Sequence, residues 1–207
     1  GIGTGFAGMS AAAVIGPMLA SFLGVPAYEA VGIGLVSDVL ASAVSAYTYK
    51  KSGNLDVKNS LPMMISVLIV TVIGSFVASF LPERAMGSTM QIALIILGLR
   101  FILKPVTTTK EQMNAGSAKE RLMKAIIGGI VVGFICGFVG AGGGMMMLFV
   151  LTSFLGYQMH MAVGTSVFIM AFTALTGGIS HFAIGGMPDI TIMVLCAAFT
   201  LLWARIA

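Results

Sequence analysis

The chain has 207 residues, of which 58% are hydrophobic and 9% charged, and its mean hydropathy is +1.05. A soluble domain carries about a quarter charged residues, because its folded surface must face water. This composition therefore excludes an ordinary soluble domain and predicts an all-α, polytopic transmembrane helix bundle. The net charge of +4 does not indicate nucleic-acid binding, since nine of the eleven basic residues lie in or beside two polar loops, without interleaved aromatic residues.

Apolar segments follow one another along the chain, and glycines interrupt the first and the fifth. They cover 1–24, 28–49, 60–82, 86–103, 125–156, 160–184 and 189–207. At about 20 residues per crossing, the chain has room for seven or eight spans. Two of these segments separate the basic loops Lys50–Lys58 and Lys104–Lys124, so two crossings return the chain to the same side and both loops satisfy the positive-inside rule. The pattern predicts a multi-pass protein of the cell (inner) membrane, with both loops in the cytoplasm.

The two halves of the chain match each other at an offset of 132 residues. Ser21–Gly24 falls on Ser153–Gly156, and Ala30–Gly32 falls on Ala162–Gly164. Matching peptides in one register predict an internal duplication, a common construction of secondary transporters. Repeats of four crossings would share one orientation, whereas a re-entrant glycine-broken segment would invert the second repeat. The sequence leaves both arrangements open.

The predicted organisation is a first repeat of about four helices at 1–104, a cytoplasmic linker loop at 105–124 and a second repeat at 125–207. The first helix of each repeat is expected to be broken by glycines. The chain begins at Gly1 within an apolar run and ends shortly after Arg205. This pattern indicates a fragment that lacks a few N-terminal residues and at least one C-terminal helix.

The glycine-rich run Gly137–Gly144 is the sharpest motif. Three consecutive glycines cost helix stability of about 1 kcal/mol each relative to alanine, so the helix is expected to open near 141–144 and a second piece to begin near Met145. A half-helix that begins at membrane depth presents free N–H groups and a positive dipole end, which can bind an anion without a cation. The alternative is close helix packing through small residues such as Gly133 and Gly137.

Polar groups within the apolar segments are the other candidates. Asp38 lies in the middle of segment 28–49, and Ser42, Ser45 and Tyr49 share its helical face. Because an intramembrane charge is costly, Asp38 is either a proton carrier or a structural partner of a serine or backbone amide on a neighbouring helix. Segment 160–184 carries a hydroxyl stripe framed by two histidines. That stripe comprises Thr165, Thr173, Thr176 and Ser180, with Ser166 adjacent to it.

The histidines have different expected roles. His160 is expected at an interfacial helix start. His181 matches Tyr49 under the repeat, so it is expected near the cytoplasmic end, either in interfacial hydrogen bonding or in a proton relay. The sequence carries no GxSxG or HExxH motif and no carboxylate pair at helical spacing. We therefore expect no enzyme activity, no cofactor and no metal site.

At these residues the chain resembles the sulfite exporter TauE/SafE family of membrane permeases. The resemblance is carried by Gly133–Gly144, Phe154–Gly156 and Ala162–Ser166, with His181 further along, and more weakly by the first half. It implies an eight-helix protein built by duplication that moves sulfite, sulfonates or related anions across the cytoplasmic membrane. Carried over to this chain, the substrate region comprises Gly140, Gly142, Gly143, Gly144, Thr165 and Ser166.

The resulting hypothesis is a secondary transporter for a small sulfur-containing anion, coupled to an ion or proton gradient, with Asp38 and His181 as proton-coupling candidates. The expected partners are the anionic substrate and the lipid bilayer, and assembly into a homo-oligomer is left open. A passive anion channel, a non-transporting membrane scaffold and a cation transporter using Asp38 are the alternatives.

Overall fold

The computed structural model describes residue 4, residues 9–82, 117–140 and 143–206, and single positions at 85, 88, 92, 95, 96, 99 and 103. Within these residues every regular element is a helix. The helices are α1 (Ala12–Phe22), α2 (Ala27–Lys51), α3 (Val57–Ala78), α4 (Ala118–Val139), α5 (Gly143–Phe149, continuing as a π-helix over Val150–Phe154), α6 (Met159–Gly185) and α7 (Ile190–Ile206).

Four of the described helices, α2, α3, α4 and α6, are long and apolar enough to cross a membrane. The side chains on their outer faces are large and apolar; Ile69 is 59% exposed and Ile127 is 55% exposed. Such faces are stable only against lipid or another apolar surface. The prediction of an all-helical membrane protein is therefore confirmed.

The centre of the bundle is a crossing of α2 with α6, and these two helices run antiparallel. A Cβ added at Gly32 would stand 3.2 Å from Cβ of His181, near the end of α6, and one added at Gly164, near its start, would stand 2.8 Å from Cβ of Tyr49. Glycines at both ends of the crossing allow the two backbones to approach closely, as in other membrane helix pairs. Helix α3 packs on α6, and α7 packs on α2.

Helices α3 and α4 run parallel and touch through glycines. A Cβ added at Gly129 would stand 2.7 Å from the carbonyl oxygen of Met63, and one added at Gly133 would stand 2.6 Å from that of Val67. Gly137 continues this row against Thr71. Glycines four residues apart thus form the α4 face of a tight helix pair, as the packing alternative for Gly133 and Gly137 requires.

Two short helices begin deep in the bundle and run to opposite ends. Helix α1 begins beside Asp38 of α2 and ends just before Pro26, at the start of α2. Helix α5 begins beside Cys136, and its π-helical end reaches a cavity lined by Asp56, Arg121 and other residues. At 1.5 Å per residue, each is too short to span a bilayer of about 30 Å.

The described basic loop residues gather at one end of the bundle, which we call the basic end; it contains Lys50, Lys51, Lys58, Lys119, Arg121 and Lys124. His181 lies at the opposite end, where its ring stacks on Tyr28. The expectation that His181 is near the end that carries the basic loops was therefore wrong. The cause is the antiparallel crossing, which places the end of α6 beside the start of α2.

Helix α4 begins at Ala118, although the apolar pattern starts only at 125. The hydroxyl of Ser117 accepts a hydrogen bond from the N–H of Glu120 at 3.3 Å. Serine followed three residues later by glutamate is the capping-box pattern, a start signal that hydropathy alone overlooks. The last residues of the predicted linker loop therefore belong to a helix.

We expect Gly133→Ala to lower the free energy of unfolding by about 1–3 kcal/mol, because the added methyl group meets the backbone of Val67, which cannot move aside. Gly177→Ala is the matched control, since its nearest neighbour is a terminal methyl carbon of Leu35 at 3.0 Å, which can shift. Thermal unfolding of the purified protein in detergent compares the two. Equal midpoints for Gly133→Ala and the wild type would contradict the close α3–α4 contact.

Candidate functional site

The carboxylate of Asp38 caps the N-terminus of α1 from the neighbouring helix α2. The hydroxyl of Ser10 donates to Oδ2, the N–H of Ala11 donates to Oδ1 at 2.8 Å, and the N–H of Ala12 donates to Oδ2 at 3.4 Å. Asp38 is fully buried. The structural role considered for Asp38 is thus present in the structure, with both a serine and backbone amides as donors.

This arrangement binds a negative charge with neutral groups. The first N–H groups of a helix have no intrahelical acceptor and carry the positive end of the helix dipole. No lysine, arginine or histidine of the described segments is paired with Asp38. Ser42, one turn along the same face, is also fully buried, and its hydroxyl has no hydrogen-bond partner among the described residues. A polar strip thus extends from the start of α1 toward the middle of the bundle.

The described residues of the glycine-rich run lie at the end of α4 and at the start of α5. Gly140 follows the last residue of α4 in the left-handed conformation (φ 67°), and its buried Cα faces Val31 of α2. Gly143 and Gly144 are the first residues of α5, and both are buried. A Cβ added at Gly143 would stand 3.0 Å from Sγ of Cys136. Gly142 lies outside the described residues.

Thr165 and Ser166 are both fully buried in the first half of α6, on the side of the basic end. The hydroxyl of Thr165 accepts a hydrogen bond from the N–H of Asp56 at 3.2 Å, which ties α6 to the loop between α2 and α3. The hydroxyl of Ser166 donates to the carbonyl of Val163 at 2.8 Å. Their contact with a substrate stays a prediction.

Most of the remaining hydroxyl stripe is used within α6 itself. The hydroxyls of Thr173 and Ser180 donate to carbonyls one turn earlier, at 2.9 and 2.8 Å. Such bonds satisfy a hydroxyl in an apolar interior without any ligand. The hydroxyls of Thr173 and Ser180 are therefore satisfied by the backbone of α6 itself.

His181 is 1% exposed and sits between α6 and α2. Its Nδ1 lies 3.0 Å from the carbonyl of Gly177, and its ring stacks on Tyr28 with the centroids 4.5 Å apart. A carbonyl can only accept, so Nδ1 carries a proton and Nε2 of the neutral ring is an acceptor. Nε2 has no partner among the described residues. Nε2 is thus a buried acceptor without a donor in the described part of the chain, and the role of His181 in coupling stays a prediction.

Ser10 and Tyr28 were not predicted as site residues. Ser10 lies 28 positions from Asp38 in the chain, so no local pattern connects them. A serine just before an apolar run is nevertheless a recognised helix-start signal. The hydroxyl of Tyr28 donates to the carbonyl of Ser75 at 3.2 Å. Tyr28 thus links α3 to the α2–α6 crossing.

Comparison with known proteins finds one matching family and several similar membrane proteins. The model of the family described as "Sulfite exporter TauE/SafE" matches residues 1–207. The chain is similar to the probable membrane transporter protein YdhB of Bacillus subtilis (strain 168), with 27% identity over 199 residues, covering 94% of this chain and 79% of that protein. No solved structure matches the chain.

Two further relatives are matched over smaller parts of their own length. The probable membrane transporter protein YunE of the same organism is 27% identical over 169 residues, covering 75% of this chain and 62% of that protein. The probable membrane transporter protein MJ0441 of Methanocaldococcus jannaschii is 26% identical over 188 residues, covering 87% and 65% respectively.

Proposed function

Because this chain belongs to the sulfite exporter TauE/SafE family, we propose that it is a secondary transporter for small sulfur-containing anions such as sulfite or organosulfonates, coupled to a proton or other ion gradient. The relatives in Bacillus subtilis and Methanocaldococcus jannaschii are described as probable membrane transporter proteins. The chain is accordingly a membrane transporter, and the substrate class and the coupling are the proposed part.

The observation that carries the proposal is the carboxylate of Asp38 at the start of α1. There the fold holds an anionic oxygen pair at membrane depth with one hydroxyl and two backbone N–H groups. A sulfite or sulfonate group presents the same kind of oxygen acceptor. The start of α5, at Gly143 and Gly144, is the corresponding place in the second half, and it is where we place the substrate.

This correspondence is part of a proposed inverted duplication, which the positions of the helices support. Adding 132 to the start of α2 at Ala27 gives 159, the start of α6. Adding the same offset to Gly32 and Tyr49 gives 164 and 181, and the contact of Gly32 with His181 is mirrored by that of Gly164 with Tyr49. The antiparallel course of α2 and α6 supports an inverted arrangement of two repeats, in which α1 and α5 are equivalent half-helices pointing to opposite ends.

The two halves differ at one decisive position. The residue equivalent to Asp38 is Met170, which is 2% exposed. The start of α1 is thus occupied by the protein's own carboxylate, whereas the equivalent position beside α5 carries a methionine. Within this proposal the bound substrate contacts Gly140, Gly142, Gly143 and Gly144. Thr165 and Ser166 lie toward the basic end, where Thr165 is bonded to Asp56, so in the proposal they meet the substrate on its way to or from that end.

In the proposed topology the protein crosses the cell membrane several times, with the basic end in the cytoplasm. The six basic residues of that end support this orientation through the positive-inside rule. The hairpin of α4 and α5 then enters from the cytoplasm and returns to it. That re-entrant path supplies the odd number of crossings that an inverted repeat requires.

The test is radiolabelled sulfite uptake by proteoliposomes containing the full chain, with and without a pH gradient. We expect saturable, gradient-sensitive uptake that falls about tenfold or more in Gly143→Leu, as expected when a group held in exact position is displaced. Cys136→Ala is the control, because it alters the side chain that faces Gly143 while leaving the glycine backbone intact.

Each other outcome points to a different function. Uptake that saturates but ignores every gradient would indicate a passive anion channel. No uptake of sulfite or of organosulfonates above empty liposomes would contradict the transporter proposal and favour a scaffold. A folded Gly143→Leu variant with normal uptake would move the substrate away from α5.

A further inference from the structure

A cavity of about 190 Å³ lies at the basic end, between the first turns of α3 and α4 and the final residues after α5. Its polar wall residues are Asp56, Lys58, Asn59, Arg121 and Tyr157. A water molecule takes about 30 Å³ of liquid. The cavity therefore has room for a small oxyanion and a few waters.

The charge of this cavity is positive. Lys58 and Arg121 contribute two cations, against one carboxylate, Asp56. That carboxylate is engaged with its surroundings: it accepts from the N–H of Asn59 at 3.1 Å, from the side-chain amide of Asn59 at 2.7 Å and from the hydroxyl of Tyr157 at 3.1 Å. Asp56 is also the N-cap of α3, so its negative charge interacts with the positive end of the dipole of that helix. With two cations and one carboxylate, the side chains that line the cavity carry a net charge of +1.

The back of the cavity is enclosed and partly apolar. Tyr157 is 4% exposed and Ala125 is 3% exposed, and Pro62 and Leu155 complete the wall. Burial raises the pKa of the Tyr157 phenol, and the nearby Asp56 raises it further, so the hydroxyl stays protonated at neutral pH and keeps its hydrogen bond to Asp56.

We propose that this cavity is a second binding site for the sulfur oxyanion, used when the substrate enters or leaves at the basic end. Arg121 can hold two oxygens of a sulfite or sulfonate group through its planar guanidinium, and Lys58 supplies a point charge. The inference rests on the proposed function. Helix α5 and its π-helical end connect the cavity to Gly143, about 18 Å away at 1.5 Å per residue.

Lys119 and Lys124 provide a matched control. Both are exposed and lie on the same helix as Arg121, but neither lines the cavity. The variant Lys58→Gln/Arg121→Gln and the variant Lys119→Gln/Lys124→Gln therefore lose the same charge from the same end of the protein. A difference in sulfite uptake between the two variants is therefore due to the cavity and not to the general attraction of a basic surface for anions.

The experiment measures radiolabelled sulfite uptake by proteoliposomes of zwitterionic lipid as a function of sulfite concentration. We expect Lys58→Gln/Arg121→Gln to raise the half-saturating concentration about tenfold, the effect of losing a charged hydrogen bond, with the maximal rate within about twofold. Lys119→Gln/Lys124→Gln should match the wild type. Equal half-saturating concentrations in both variants would overturn the inference while leaving the proposed function intact.

Two further arms separate the remaining possibilities. If the wild type takes up no sulfite, the proposed function fails, and equilibrium binding of sulfite to protein in nanodiscs decides this site: binding weakened only in Lys58→Gln/Arg121→Gln supports it, and unchanged binding overturns it. If the variant differs from the wild type only in vesicles that contain anionic lipid, the occupant is a lipid phosphate, and the substrate site is refuted.

Discussion

Asp38→Asn is expected to lose about tenfold or more of proton-driven sulfite uptake while retaining exchange of internal for external sulfite. An asparagine has the shape of the aspartate, but it can neither bind nor release a proton in the physiological range. A carrier without its proton site can still exchange substrate, because exchange needs no net proton movement. The two assays, run on the same proteoliposomes with and without a pH gradient, give the ratio of coupled to exchange flux.

The local contacts predict how well the variants fold. Ser10 can rotate its hydroxyl to accept from the new amide, but the N–H of Ala12 must then face an NH₂ group. Asp38→Ala leaves one hydroxyl and two N–H groups without their acceptor, at about 1–3 kcal/mol for each buried group, so it should unfold at a clearly lower temperature than Asp38→Asn. Ser42→Ala, on the same face, is the control that keeps the carboxylate. Normal proton-driven uptake by Asp38→Asn would leave Asp38 with only its structural role.

Met170→Asp is expected to give a folded protein with little or no transport. If α5 is the inverted counterpart of α1, a carboxylate at 170 meets the free N–H groups at the start of α5, as Asp38 meets those of α1. The introduced group would then compete with the substrate for the same donors, and its effective concentration is that of an intramolecular ligand. We expect uptake to fall at least about tenfold, with the residual rate rising at high sulfite concentration.

Val167→Asp is the control for this experiment. Val167 is fully buried in α6, one turn before Met170. At the offset of 132 residues it corresponds to Leu35, which caps none of the described helices. The proposed symmetry therefore predicts that a carboxylate at position 167 has no helix N-terminus to interact with. An unpaired buried charge is strongly destabilising, at about 3–5 kcal/mol or more. Thermal unfolding should therefore separate a stable Met170→Asp from an unstable Val167→Asp, and equal destabilisation of both would contradict the symmetry.

The membrane class and most helix bounds were predictable, because hydropathy and polar loops record where a chain meets lipid and water. The segment predicted at 160–184 is a helix over Met159–Gly185, and that at 28–49 is a helix over Ala27–Lys51. The start of α4 was missed because its first turn is charged and only the Ser117–Glu120 cap marks it. Part of segment 86–103 lies outside the described residues.

The orientation of the halves could not be predicted from the same patterns. It depends on whether the apolar run at 125–156 crosses once or forms a hairpin, and composition is the same in both cases. The pairing of Asp38 with Ser10 is equally invisible, since the sequence shows the need for donors but not which helix supplies them. The glycine-rich run Gly137–Gly144 predicted a break in the helix. It did not reveal that the row Gly129, Gly133 and Gly137 forms the contact of α4 with α3. The assignment of the substrate to Gly140–Gly144, Thr165 and Ser166 stays a prediction.

The neutral donors around Asp38 have a consequence for the charge balance of transport. A carboxylate that no described lysine or arginine neutralises gives the interior a fixed charge of −1 when it is ionised. A monovalent anion entering the same interior would double that charge in a medium of low dielectric constant. If one proton joins the carboxylate as each anion arrives, the loaded carrier returns to the charge of the empty one. Such a cycle is electroneutral, so the pH difference, and not the membrane voltage, sets how far the substrate can be concentrated.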